Sequence, residues 1–220
     1  YGEKLMENKI GAIVAIEPST GEVISLISSP TYNPNLLTGR SRTKSYYNLV
    51  SDPNKPLFNR ALQGTYPPGS IFKLLNGLIT MQEGIIKDGL YLNCTHGYEY
   101  QDNKYVKCHP HISPIEIRKA IEISCNTFFC AGFDRYFNKF SDNNIAYNNW
   151  YSHLKSFGIG EYMNNDFING KPGRLPNSSY YNNLYKRSWN ANTIISMAIG
   201  QGELLLTPIQ MANITAIIAN

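Results

Sequence analysis

The sequence has little that would hold a polypeptide in a membrane. Apolar runs such as the one from Gly11 to Ile16 fall far short of the roughly 20 residues that cross a bilayer. No signal-peptide pattern opens the chain. Charge is also sparse, at 16% of the 220 residues, and the net charge is only +4. Long basic runs are missing, which argues against a nucleic-acid partner. Four cysteines are too few for a disulfide framework, and no internal repeat points to a solenoid. What is present is an ordinary apolar fraction, 42%, enough to build a core. The length suits one domain or a little more.

The chain begins at Tyr1 and stops at Asn220, inside an apparently helical run that starts at Pro208. No clear stop signal follows that run, so the chain is expected to be a segment of a longer protein. Near the N-terminus, two β-branched apolar stretches flank the turn cluster Glu17-Pro-Ser-Thr-Gly-Glu22. This predicts a hairpin from Gly11 to Ile27 with helices covering its sheet. Residues Ser28 to Pro56 read as a long surface excursion, and Gly89 to His111 as irregular and strand-poor. Helical spacing predicts helices from Ser70 to Met81, from Ser113 to Phe137, around Asn149 to Phe157, and from Pro208 onward.

Ser70 and Lys73 stand at i and i+3 where the first of these helices begins, so their side chains share one face. A serine hydroxyl needs a base before it can attack, and a lysine serves as that base when burial lowers its pKa. The helix start also offers backbone N–H groups to an oxyanion. Alone, Ser-x-x-Lys is a weak pattern. Its context is Tyr66-Pro-Pro-Gly-Ser-Ile-Phe-Lys73, and a second element, Ser124-Cys125-Asn126, falls inside the predicted helix from Ser113 to Phe137. There it offers a hydroxyl and an amide that can orient the lysine and grip a peptide.

Ser-x-x-Lys followed by Ser-x-Asn is a known signature of penicillin-binding proteins and class A β-lactamases. The two strings resemble the first two motifs of class B penicillin-binding proteins. Gly11 to Val23, Asn59-Arg60-Ala61, and Gly200-Gln-Gly with Thr207-Pro-Ile-Gln-Met-Ala212 resemble further landmarks of their transpeptidase domain, in the family's order. The Cys-rich stretch between the motifs is most similar to the elongation type, penicillin-binding protein 2. The third motif, Lys-Thr-Gly or Lys-Ser-Gly, does not occur in the chain.

The resemblance implies a mixed α/β fold of the α+β type, with helices packed on an antiparallel sheet. Residues 1–220 would then be one partial transpeptidase domain, incomplete at its C-terminus. It implies a peptidoglycan D,D-transpeptidase that works outside the cytoplasm, in the periplasm, from a membrane-anchored parent. Ser70 would attack a D-Ala-D-Ala stem peptide, Lys73 would take its proton, Ser124 would relay a proton to the leaving amine, and Asn126 would hold Lys73 and the substrate. β-Lactams would acylate Ser70. A glycan polymerase and elongation-complex proteins are the implied partners. A serine β-lactamase or a penicillin-sensing receptor domain is the alternative.

Cys94, Cys108, His109 and His111 fall in one stretch and are chemically suited to zinc. Their spacing is not a zinc-finger pattern, and a Cys94–Cys108 disulfide competes with a metal. By resemblance, some elongation-type members carry a structural metal in this region; catalysis itself would need no cofactor. Cys125 and Cys130, on an apolar helical stretch, read as packing residues.

Overall fold

The computed structural model describes residues 1–163, 166–167 and 169–220. In chain order the elements are α1 (Gly2–Leu5), β1 (Gly11–Ile16), β2 (Val23–Ser29), α2 (Arg42–Ser51), α3 (Arg60–Gln63), α4 (Phe72–Gln82), β3 (Gly97–Gln101), β4 (Lys104–Lys107), α5 (Ile117–Glu122), α6 (Asn126–Asn138), α7 (Asn143–Ser156), α8 (Ser178–Leu184) and α9 (Pro208–Ala219). Three 3₁₀ segments, Pro34–Leu37, Gly69–Ile71 and Ala191–Ile199, complete the set among the described residues. The chain divides into two compact units, one of Tyr1–Tyr66, Glu161–Gly173 and Leu206–Asn220, the other of Pro67–Gly160 and Arg174–Leu205.

The first unit is built on the expected hairpin. β1 and β2 pair antiparallel, Gly11 opposite Ser29, with a register shift after Ala15. α9 and α3 pack on it. Thr207 and Gln210 form a reciprocal capping box at the start of α9, with Pro208 in its first turn. That is the arrangement in which Pro costs no hydrogen bond. Asn59 caps α3 by accepting from the N–H groups of Ala61 and Leu62. The excursion after β2 is more ordered than its composition suggests, since it holds a 3₁₀ turn and the exposed helix α2.

The second unit has an aromatic core. Trp150 meets Phe72 and Phe133 edge-on, and Tyr147, Tyr181 and Trp189 extend the cluster. Each ring buried here contributes several kcal/mol, at about 25 cal/mol per Å² over 150–250 Å². Polar atoms in this core find partners. The Trp150 indole N–H donates to Asn76 Oδ1 (2.8 Å), and Asn76 Nδ2 donates to the carbonyls of Met197 and Ala198. α7 begins six residues earlier than the helix expected from Asn149, because Asp142 caps it.

Two expectations fail in this unit for identifiable reasons. Residues 97–107 form the β3–β4 hairpin, with Asn103 left-handed (φ 60°) in its turn. Ser113 starts no helix: Ile115 is occupied in a bridge to Leu92, and Ser113 Oγ accepts the Cys94 N–H instead. Glu116 caps α5, and that helix ends at Glu122. The chain then breaks at Ser124, whose φ is 55°, before α6 restarts at Asn126. The expected helix from Ser113 to Phe137 is therefore two helices with the Ser-x-Asn element at their junction.

Candidate active site

Every residue of this site lies in the second unit. Pro67, Pro68 and Gly69 deliver the chain into a 3₁₀ turn that carries Ser70 and leads directly into α4. Gly69 has φ 61°, and its N–H donates to Gly200 O at 2.8 Å. Gly200 is itself left-handed, and a Cβ there would lie 2.3 Å from Gly69 O. Only glycine lets these two backbones approach so closely. The first turn of a helix leaves N–H groups without intrahelical acceptors, which is the position Ser70 occupies.

Ser70 is exposed, whereas Lys73, one turn further on, is 3% exposed. The Lys73 ammonium meets three acceptors: Ser124 O at 2.8 Å, Ser124 Oγ at 2.8 Å and Asn126 Oδ1 at 2.5 Å. A lysine has three donors, so all are used. Ser124 Oγ in turn donates to Ser70 Oγ at 3.0 Å. Asn126 Nδ2 donates to Lys107 O at 2.8 Å, which ties the motif to the end of β4. Burial lowers the Lys73 pKa below its ordinary value, opposed by the nearby thiols of Cys108, Cys125 and Cys130. The four residues chosen from sequence thus converge, with one change in arrangement: Ser124 links the lysine to the nucleophile.

When Lys73 is neutral, the two hydroxyls can turn so that Ser70 donates to Ser124 and Ser124 to Lys73. Such an arrangement is able to pass a proton from Ser70 to Lys73 while the Ser70 oxygen attacks a carbonyl. Beside Asn126 a groove of about 390 Å³ opens between β3–β4 and the 3₁₀ segment, with Tyr100, Asn192, Thr193 and Gln201 among its walls. Its size suits a short peptide.

A second group of side chains lies behind the motif. The ligand atoms of Cys94, Cys108, His111 and Cys125 all fall within 4.8 Å of one another. Cys108 Sγ is 3.6 Å from His111 Nε2 and 3.7 Å from Cys125 Sγ. His111 Nδ1 donates to Ile112 O at 2.6 Å, which turns Nε2 toward the Cys108 sulfur. That is how a ligating imidazole is oriented. Burial raises the Cys108 pKa, but hydrogen bonds from the Thr127 and Asn126 backbone, His111 and Cys125 outweigh it and bring the thiol to about 7. Three sulfurs and one imidazole nitrogen form a donor set that fits zinc.

The structure gathers three of the four expected ligands and exchanges the fourth. His109 is exposed, its ring centred 5.4 Å from that of His111, and it stands outside the group. Cys125 takes its place. On a continuous apolar helix Cys125 would be a packing residue. The break at Ser124 turns Cys125 into the N-cap of α6, where its thiol accepts the Phe128 N–H. The available signal was its position inside Ser-x-Asn, close in space to whatever the motif faces. Cys130 remains a buried packing residue.

A mixed helix–sheet fold with Ser-x-x-Lys opening one helix and Ser-x-Asn opening another is the arrangement shared by penicillin-binding proteins and serine β-lactamases. The family model for the penicillin binding protein transpeptidase domain matches residues 11–220, and the chain belongs to that family. It is 35% identical to the peptidoglycan D,D-transpeptidase MrdA of Acinetobacter baumannii, over 96% of this chain and 30% of that protein. Among solved structures it is similar to Pseudomonas aeruginosa PBP2 in complex with WCK 5153, with a TM-score of 0.86, 28% identity, and coverage of 99% of this chain and 48% of that one. It is also similar to PBP2 in a complex with MreC from Helicobacter pylori, with a TM-score of 0.84, 27% identity, and coverage of 99% and 39%. The chain spans about a third of the length of the curated relatives it matches.

Proposed function

We propose that the protein carrying this chain is a peptidoglycan D,D-transpeptidase of the penicillin-binding protein 2 type. The observation that supports it best is the hydrogen-bonded line from Lys73 through Ser124 to Ser70. Ser70 Oγ attacks the carbonyl of the penultimate D-alanine of a stem peptide while its proton passes through Ser124 to Lys73. Backbone N–H groups at the start of the helix hold the oxyanion. The proton returns through Ser124 to the departing D-alanine amine, leaving an acyl-serine. An amine of a second stem peptide then attacks that ester and forms the cross-link. Asn126 holds Lys73 through its carbonyl oxygen, and the groove beside it takes the donor peptide. β-Lactams offer Ser70 an amide in place of the scissile one and leave it acylated.

The same reading puts the active site on the extracytoplasmic side of the membrane, with an elongation-complex scaffold as a partner; the MreC complex of the Helicobacter pylori relative supports this. A glycan polymerase is a further partner of this reading. Zinc is the proposed structural metal, held by Cys94, Cys108, His111 and Cys125. Bound there, it would draw the thiols into thiolates and supply cross-linking rather than chemistry.

The test is covalent labelling. Fluorescent penicillin should attach to Ser70, as read by peptide mapping, and Ser70→Ala should abolish it. The adduct should persist far longer than one turnover of a β-lactamase. A D-Ala-D-Ala pentapeptide should lose its terminal D-alanine and become linked to an added amine. Label on another residue, or rapid release of hydrolysed penicillin, would refute the assignment.

A further inference from the structure

We propose that Cys108 and Cys125 form an alternative, metal-free cross-link: when their centre holds no metal, an external disulfide oxidises this pair and staples the end of the β3–β4 hairpin to the start of α6. The inference rests on the extracytoplasmic location proposed above, since disulfides persist in oxidising compartments.

The geometry selects the pair. The two sulfurs are 3.7 Å apart, and bond formation at about 2.05 Å asks for less than 2 Å of closure. Cys108 is half-buried, so an oxidant can reach it, whereas Cys94, Cys125 and Cys130 are buried. Cys94 is engaged elsewhere, donating to Thr127 Oγ1 at 3.0 Å. The segments to be joined already touch, because Asn126 Nδ2 donates to Lys107 O beside Cys108. The new bond would run alongside that contact and would leave Ser124 and Asn126 where Lys73 needs them.

The chemistry balances. The Cys108 sulfur attacks one sulfur of a low-molecular-weight or protein disulfide, which expels one thiol and leaves a mixed disulfide. Cys125 then attacks Cys108 Sγ and expels the second thiol. The pair loses two electrons and two protons, and the oxidant gains them. Metal and cross-link exclude each other, because each consumes the same two sulfurs.

The experiment uses the protein with its natural termini. Metal is stripped with a chelator, oxidised glutathione is added, and thiols are counted and mapped by mass spectrometry. Two of the four thiols should disappear into a Cys108–Cys125 linked peptide, and prior zinc loading should slow this at least ten-fold. The oxidised metal-free protein should melt about 5 °C or more above the reduced metal-free protein, the stabilisation expected for a loop of this size. Cys94→Ser should keep the linkage. Four persistent thiols, a link involving Cys94, a glutathione adduct that never resolves, or equal melting of the two forms would overturn the proposal. These readouts involve no penicillin, so they stand or fall separately from the proposed transpeptidase.

Discussion

Ser124 Oγ sits between Lys73 Nζ and Ser70 Oγ, accepting from the first at 2.8 Å and donating to the second at 3.0 Å. The proposed base and nucleophile are therefore joined through a hydroxyl at another helix junction. Ser124 also holds a left-handed backbone, at φ 55°, that a serine seldom adopts.

These two facts separate in one experiment. Ser124→Gly removes the hydroxyl but suits the left-handed backbone. The variant should melt no lower than the parent, while penicillin acylation falls about 10²–10⁴-fold, the scale of a lost proton relay. Acylation within a few-fold of the parent would mean that Lys73 reaches Ser70 without Ser124.

The pH dependence of acylation follows from Lys73. The lysine must be neutral to accept a proton, and burial holds its pKa below the ordinary value. The acylation rate should rise with pH through an inflection below the ordinary lysine range near 10.4. Lys73→Arg should be slow at every pH, because a guanidinium does not deprotonate in proteins. A stopped-flow acylation profile of both proteins decides the matter.

Glu83 makes a different pH prediction. It sits just past α4 and accepts from Lys139 (2.6 Å), His153 (2.8 Å) and Asn149 (2.9 Å). The Lys139 bond, then those of His153 and Asn149, hold its carboxyl down to about 2. A carboxyl depressed in the folded state adds stability above its unfolded pKa, near 4.3, and loses it as pH falls through about 2. Glu83→Gln should cost about 1–3 kcal/mol at pH 7. The gap between parent and variant should narrow steadily between about pH 4.5 and 2 in chemical denaturation. A constant gap would mean that the charge is irrelevant.

The two left-handed glycines on either side of α4 make a matched pair. Gly200→Ala drives a Cβ against Gly69 O and should destabilise the second unit severely, with loss of penicillin labelling. Gly84 has φ 71° but open space around its missing Cβ. Gly84→Ala should cost only the left-handed strain, about 1–2 kcal/mol, and leave labelling intact. Thermal melting and labelling of both variants test this.

Metal content tests the thiol group directly. The protein should carry about one equivalent of zinc by elemental analysis. Cys108→Ser should lose it, and Cys130→Ala should keep it. Retention by the first variant would remove Cys108 from the ligand set.

What the sequence made legible was local. The β1–β2 hairpin, the start of α4 and the start of α9 at Pro208 are each written in a few adjacent residues, and the structure follows them. The junction at Ser124 is not local. Apolar spacing from Ile121 to Phe129 reads as one helix. The break is fixed by contacts far along the chain, with Lys73 on one side and the Cys108 thiol on the other. Without that break Cys125 looks like a packing residue, and His109 looks as good a ligand as His111. The β3–β4 hairpin was not legible, because its polar strands read as irregular structure, although Asp102 and Asn103 are residues that suit a tight turn.

Cys125 gives the middle position of the Ser-x-Asn element an unusual load. The Ser-x-Asn pattern itself leaves that position free. Here the side chain caps α6 and joins the thiol group, while its two backbone neighbours hold the Lys73 ammonium. Any exchange there disturbs helix, thiol centre and base together. If the proposed function holds, change at this tripeptide is therefore constrained by folding as well as by chemistry, and the groove wall at Tyr100 is the freer place for it.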